Sequence, residues 1–283
     1  TPLYSSAASD VYKRQVLAGI LKDFMQFDYI VGNPPWVSKK TKKVFLSESY
    51  QAMLERTYTS AVGDFDLHVP FIEKGITSLK EGGKLGYIVS NTFFKTTYGR
   101  VIRAVLTQNR LHEVIDFQDF DVFEEPTNYS AIIVAERTQN NLIRSTITEL
   151  DNVKCSRVCF WDSTDIKGLM NAIRTRTPSK DLDIFELPYD HFSGKIVAQE
   201  GIVRLIEVSA TRKIEGSGKG ITVKKKVPVS DIWVVAPPNE LGILDYLESV
   251  SKKRLGNCWI VRNGISEKVE SLSNKVFVGI QLD

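Results

Sequence analysis

Asn33, Pro34, Pro35 and Trp36 are four consecutive residues whose types could together do chemistry. An asparagine side chain offers a carbonyl oxygen that accepts hydrogen bonds and an amide group that donates them. The prolines fix φ and contribute no N–H, so a main-chain carbonyl between them, that of Pro34, is held rigidly without a competing donor. Two fixed acceptors suit a poorly nucleophilic amine such as the exocyclic amine of adenine, whose lone pair is delocalised into the ring. By accepting both of its hydrogens, the Asn33 side chain and the Pro34 carbonyl would draw the nitrogen toward tetrahedral geometry, its lone pair aimed at an electrophile. Trp36 would provide a flat surface for a base turned out of a duplex, because the amine is out of reach inside the stack. Asn-Pro and Pro-Pro also mark ordinary turns. The chemical reading is favoured by what precedes them: residues 27–31 (FDYIV) read as a fully buried parallel strand, and open α/β sheets place ligands beyond the C-terminal ends of their strands.

The elements that must position this loop follow from the pattern. Helices are expected over about 43–57 and 65–80, the second with Leu67, Phe71, Ile72 and Leu79 on an apolar face. Glu81-Gly82-Gly83 should stop it, and 84–90 (KLGYIVS) reads as a strand. Asn91 or Thr92 can cap a helix running to about 108, followed by strands at 111–117 and 129–135, expected as an antiparallel pair at the sheet edge. This order predicts an α/β fold, the C-terminal half of a doubly wound, Rossmann-like sheet. From 137 onward the sequence turns polar and β-leaning, with a Gly- and Lys-rich stretch before 226 and a helix expected at about 239–253. That part reads as a mostly β or α+β region.

Composition sets bounds. With 283 residues, 42% hydrophobic and 25% charged, the chain has the make-up of an ordinary globular protein with room for one large core and a smaller domain. No apolar run is long enough to span a bilayer, so no membrane partner is expected. A net charge of +3 permits nucleic-acid binding without arguing for it. Cys155, Cys159 and Cys258 are too few and scattered for a disulfide framework or a zinc site and read as small buried residues in a reducing, cytoplasmic setting. His68, His112 and His191 lack metal spacing, so no metal is expected. Glu215 to Gly220 lacks the spacing of a phosphate-binding loop and reads as a surface loop. Arg212, Lys213, Lys219, Lys224, Lys225 and Lys226 form a positive cluster, either a solvated basic loop or a contact for backbone phosphates. Asp64 and Asp66 read as acidic residues favouring a helix N-terminus.

The ends are read separately. Ser9 to Gln15 (SDVYKRQ) is what TCA-GAT-GTG-TAT-AAG-AGA-CAG would encode, a sequence resembling a transposon-end adapter, so 1–15 are expected to be non-native. The chain stops within a strand-like stretch, so a truncated C-terminus is expected as well.

Three segments, FDYIVGNPPWV, DFDLHVPFIEKGITSLKEGGKLGYIVSNTFF and VFEEPTNYSAIIVAER, resemble the catalytic half of adenine-specific methyltransferases of restriction–modification systems. The likeness is greatest to the group that includes the TaqI- and Eco57I-type enzymes, and it covers about 27–137. It implies N6-adenine methylation of double-stranded DNA with S-adenosylmethionine as cofactor, a base-flipping step, and a restriction endonuclease domain or subunit as partner. It also implies that Phe123 stacks the second face of the flipped adenine. The pattern at 261–265 and 274–278 resembles the opening strands of the family's DNA-recognition domain. The family's Gly-rich cofactor loop precedes the Asn-Pro-Pro-aromatic motif, yet residues 16–27 hold only Gly19, so the cofactor half is expected to be missing. The division expected is therefore 1–15 adapter-derived, 16–140 partial catalytic domain, 141–230 extension with the basic loop, and 231–283 the start of a recognition domain. Protein-glutamine and ribosomal-RNA methyltransferases use similar loops, and a DNA-recognition fragment without catalysis is a further alternative.

Overall fold

The computed structural model describes residues 26–37, 46–118, 120, 122, 129–138, 152–162, 164–193, 205–213 and 220–250. The chain divides into two compact units, 1–238 and 239–283. In the larger unit the elements follow as β1 (Phe27–Gly32), α1 (Glu48–Thr57), α2 (His68–Thr77), β2 (Leu79–Ser90), a 3-10 turn (Asn91–Phe94), α3 (Arg100–Gln108), β3 (Arg110–Asp116) and β4 (Ser130–Glu136). After these come β5 (Val153–Val158), α4 (Ile166–Thr175), β6 (Leu182–Leu187), α5 (Tyr189–Ser193), β7 (Leu205–Lys213) and β8 (Gly220–Pro228). The described part of the smaller unit, 239–250, lies in α6 (Pro238–Val250), whose first helical position is Pro238, where a missing N–H costs nothing.

Six strands form one mixed sheet in the order β1-β2-β4-β3-β5-β6, and β7 and β8 form a separate two-stranded ribbon. β1 runs parallel to β2, β4 runs against both β2 and β3, and β5 runs parallel to β3. β1, β2, β3 and β5 therefore point the same way, and their C-terminal ends share one edge. The core lies along β2 and β4, where Leu79, Leu85, Val89, Ala131, Ile133 and Ala135 are fully buried. α2 packs on β2, and its Val69, Ile72 and Ile76 are buried. The approach is close enough that a Cβ on Gly75 would meet Leu85 Cδ1 at 2.6 Å.

The mixed α/β sheet agrees with the expected fold class, and several details correct the expectation. β1 forms where its residues predict but is not fully buried: Tyr29 is 74% and Val31 85% exposed. Among the described residues it pairs only with β2, at one edge of the sheet. α2 ends at Thr77, and β2 starts ahead of the glycines. Gly82, at φ 76°, lets the strand bulge there without ending. Its N–H donates to the Arg137 carbonyl at 2.8 Å, and the Arg137 N–H donates to Gly83 at 2.9 Å, which extends the ladder with β4.

The continuous helix expected from Asn91 is broken in two. Ser90, not Asn91 or Thr92, accepts the capping bond. The buried ring pair Phe93–Phe94 packs on Trp233, and the buried Arg103 guanidinium donates to the carbonyls of Phe93, Thr96, Ser230 and Asp231. Those bonds hold the chain away from helical geometry between the 3-10 turn and α3. β3 and β4 are antiparallel as expected, but they lie inside the sheet. Chain beyond 140, read as an extension, supplies β5 and β6 and carries the sheet onward, closed beneath by Leu169 and Ile173 of α4 against Ile115, Phe117, Val158 and Leu182. Of the two cysteines in the described residues, Cys155 is buried as expected while Cys159, just past β5, is exposed.

Candidate active site

The shared edge where β1, β2 and β3 end is where the candidate residues gather. β1 finishes at Gly32, and Asn33 to Trp36 turn directly off it. Pro34 is buried and anchors the loop, Asn33 is exposed, and Pro35 and Trp36 are half-buried. The Trp36 indole Nε1–H donates to Asn33 Oδ1 at 2.5 Å, so the asparagine's acceptor and the aromatic ring are coupled within one turn. The far end of the loop is tied down by a backbone bond, the Leu67 N–H donating to the Val37 carbonyl at 3.1 Å.

Behind that bond lies a hydroxyl–carboxylate cluster that the sequence reading did not pick out. Tyr98 Oη donates to Asp66 Oδ2 at 2.5 Å, and Thr92 Oγ1 lies 2.8 Å from Tyr98 Oη and 2.9 Å from Ser90 Oγ. Burial, with the Asp66 carboxylate beside it, pushes the Tyr98 phenol well above its usual range, so it stays protonated and donates. Asp66 lies just ahead of α2, which begins at His68, and its carboxylate also accepts from Tyr98. His68 itself is buried beside Phe93, and burial pushes its imidazole down to about 4, so it is neutral at physiological pH.

A second polar pair closes the edge. Asn91 Nδ2 donates to Asp116 Oδ1 at 2.8 Å, and the same oxygen accepts the Gln118 N–H at 2.9 Å. Burial raises the Asp116 carboxyl, and these two bonds oppose the rise. Gln118 adopts φ 48°, turning the chain sharply at the end of β3. Phe120 and Val122 then pack against the cluster around Ile115. Phe123, the expected second stacking residue, lies outside the described residues.

The basic cluster resolves into different fates. Lys219 lies outside the described residues, as do the side chains of Arg212 and Lys213, whose backbone lies in β7. Lys224 and Lys226 are exposed on β8, opposite Ser209 and Glu207. Lys225, on the other face, donates its ammonium to the carbonyls of Glu55 at 2.8 Å, Tyr58, and Ala61 at 3.0 Å. It satisfies orphan carbonyls where α1 ends, and burial pulls its ammonium below the usual range. The signal for this was the two-residue alternation of a strand, which separates Lys225 from its neighbours.

Among the described residues no group of three or more His, Cys, Asp or Glu could hold a metal, and no helix is long and apolar enough to cross a membrane. Among them, too, no strand leads into a glycine-rich turn of the kind that takes S-adenosylmethionine. β1 opens into Asn33-Pro34-Pro35-Trp36 and β2 into Asn91–Phe94. The described residues do not by themselves supply a site for that cofactor.

A sheet that gathers an Asn-Pro-Pro-aromatic loop at its C-terminal edge has a counterpart among known enzymes: residues 5–123 match the family described as Eco57I restriction-modification methylase. The resemblance read from the motifs over about 27–137 is borne out for the part of it, 27–123, that the match covers. The type II methyltransferase M.BstVI of Geobacillus stearothermophilus is 36% identical over 140 residues, covering 48% of this chain and 24% of that protein. The type II restriction enzyme and methyltransferase RM.Eco57I of Escherichia coli is 34% identical over 117 residues, covering 41% of this chain and 12% of that protein. The match thus spans a quarter or less of these relatives' length. Among solved structures, the type IIG restriction endonuclease BpuSI aligns with a TM-score of 0.42 at 14% identity, over 62% of this chain and 21% of that one.

Proposed function

We propose that the chain is the target-holding part of a site-specific DNA methyltransferase that modifies the N6 amine of adenine within a restriction–modification system. The observation that carries this reading is the loop itself: an exposed asparagine carboxamide at the C-terminal end of β1, fixed against a tryptophan ring by a 2.5 Å hydrogen bond. Asn33 Oδ1 and the Pro34 carbonyl accept the two amine hydrogens and bias the nitrogen toward tetrahedral geometry. Trp36 stacks one face of the extrahelical base and Phe123 the other, each worth about 1–3 kcal/mol by analogy with stacked single strands. S-adenosylmethionine supplies the electrophilic methyl group when bound. The match to a restriction-modification methylase family supports DNA over the alternatives, and the exposure of Lys224 and Lys226 on β8 is compatible with their meeting backbone phosphates.

The test identifies the product. The longest reading frame that contains this chain is incubated with labelled S-adenosylmethionine and, separately, unmethylated phage DNA, ribosomal RNA and a glutamine-containing peptide. Label in DNA, recovered as N6-methyladenine, is expected. Label in ribosomal RNA or peptide glutamine would replace the reading with one of its relatives in chemistry.

A further inference from the structure

We infer that Trp36 is a positioning residue for Asn33 as well as a stacking surface: its indole N–H selects the orientation of the Asn33 carboxamide that can receive an amine. The inference rests on the reading of this loop as an amine-holding site. A carboxamide has an accepting end and a donating end of nearly equal size, and half a turn about its last side-chain bond exchanges them. A target amine presents hydrogens, so only the orientation with oxygen inward holds it. The reverse orientation sets two donors against each other. Nothing in the shape of an asparagine decides between them.

The indole decides. Its Nε1–H is a donor with no accepting capacity, so its bond to Asn33 Oδ1 at 2.5 Å is available in one orientation only. The oxygen has two lone pairs, one for Trp36 and one for the incoming amine, so the internal bond need not break when the base arrives. The spacing is local, three residues, and Pro34 and Pro35 between them hold it with fixed φ, Pro34 being buried. Other aromatic residues stack but do not select: phenylalanine has no donor, and the tyrosine hydroxyl both donates and accepts from the far tip of its ring.

The experiment separates donor from ring. Trp36 is replaced by 3-benzothienylalanine, in which sulfur stands for the indole N–H in a bicycle of the same shape, and by phenylalanine. In the unsubstituted chain the indole N–H resonances of the four tryptophans are recorded, that of Trp36 being the one that disappears in Trp36→Phe. That resonance should lie downfield, move upfield in Asn33→Ala, and stay downfield in Asn33→Asp, whose carboxylate still accepts. In methyl transfer, the benzothienyl variant should lose roughly 3- to 10-fold in kcat, the size of one hydrogen bond. KM for DNA and the fluorescence of 2-aminopurine at the target position should be unchanged, because stacking is kept. A Trp36 resonance indifferent to Asn33→Ala, or full kcat in the benzothienyl variant, would overturn the inference. If the unsubstituted protein transfers no methyl group to DNA, the proposed function fails instead, and the resonance of Trp36 still decides whether its N–H orients Asn33.

Discussion

The Leu67 N–H donates to the Val37 carbonyl at 3.1 Å, and this one bond ties the end of the Asn33 loop to the start of α2. At the loop's other end Gly32 is paired with Tyr87 of β2. The loop that carries Asn33 is therefore held between two backbone attachments, which suits the proposed acceptor role. Leu67 is in turn held by its neighbour Asp66, whose carboxylate accepts from Tyr98 at 2.5 Å.

Tyr98→Phe tests that brace. It removes the hydroxyl between Asp66 and Thr92 while keeping the ring, and should lower stability by about 1–2 kcal/mol. Amide hydrogen exchange at Leu67 should quicken beyond what the global loss of stability accounts for. Exchange at Leu67 rising only in step with the rest of β2 would show that Tyr98 does not hold the loop.

The lysines of β8 should separate by function. Lys225→Met leaves the carbonyls of Glu55, Tyr58 and Ala61, in the last turn of α1 and just beyond it, without this donor and should cost about 1–3 kcal/mol in stability. Lys224→Ala with Lys226→Ala should leave the melting temperature nearly unchanged. The pair should also reduce the slope of log K against log salt for DNA by roughly 2, near one unit for each phosphate no longer neutralised. An unaltered slope would remove the ribbon from the DNA interface.

His68 gives a pH dependence with a defined sign. Burial lowers its imidazole from 6.5 to about 4, so the native state binds its proton less readily than the unfolded chain. Below about pH 6.5 the unfolded chain takes up a proton that the native state does not, so stability falls as pH drops toward 4. Acidification across that window should lower the melting temperature of the wild type more than that of His68→Phe. Parallel curves would show that His68 is not the group responsible.

What was legible in the sequence was what is contiguous. Asn33 to Trp36 carry the proposed chemistry within four residues, and the strand before them announces itself by composition. The brace was not legible, because Asp66 meets Thr92 and Tyr98 only after β2 folds back between them, and no spacing marks that meeting. In the sequence Lys225 groups with its neighbours, because charge is visible there while strand facing is not. The places of β4 inside the sheet and of β5 and β6 beyond it depend on pairing between distant segments. A local pattern does not encode such pairing.

Stacking is tested apart from amine recognition. Trp36→Ala or Phe123→Ala should reduce the fluorescence rise of 2-aminopurine placed at the target adenine, each weakening the extrahelical state by about 1–3 kcal/mol. A signal unchanged by both substitutions would refute the stacking roles.

The most direct measurement of the central claim is the rate of N6-methyladenine formation by Asn33→Ala, in the longest reading frame containing the chain, alongside its affinity for the same DNA. Loss of an acceptor that works in the transition state should slow transfer by about 100-fold or more while leaving the DNA dissociation constant within a few fold. Adenine methylated by Asn33→Ala at a rate close to the unsubstituted protein's would contradict the account.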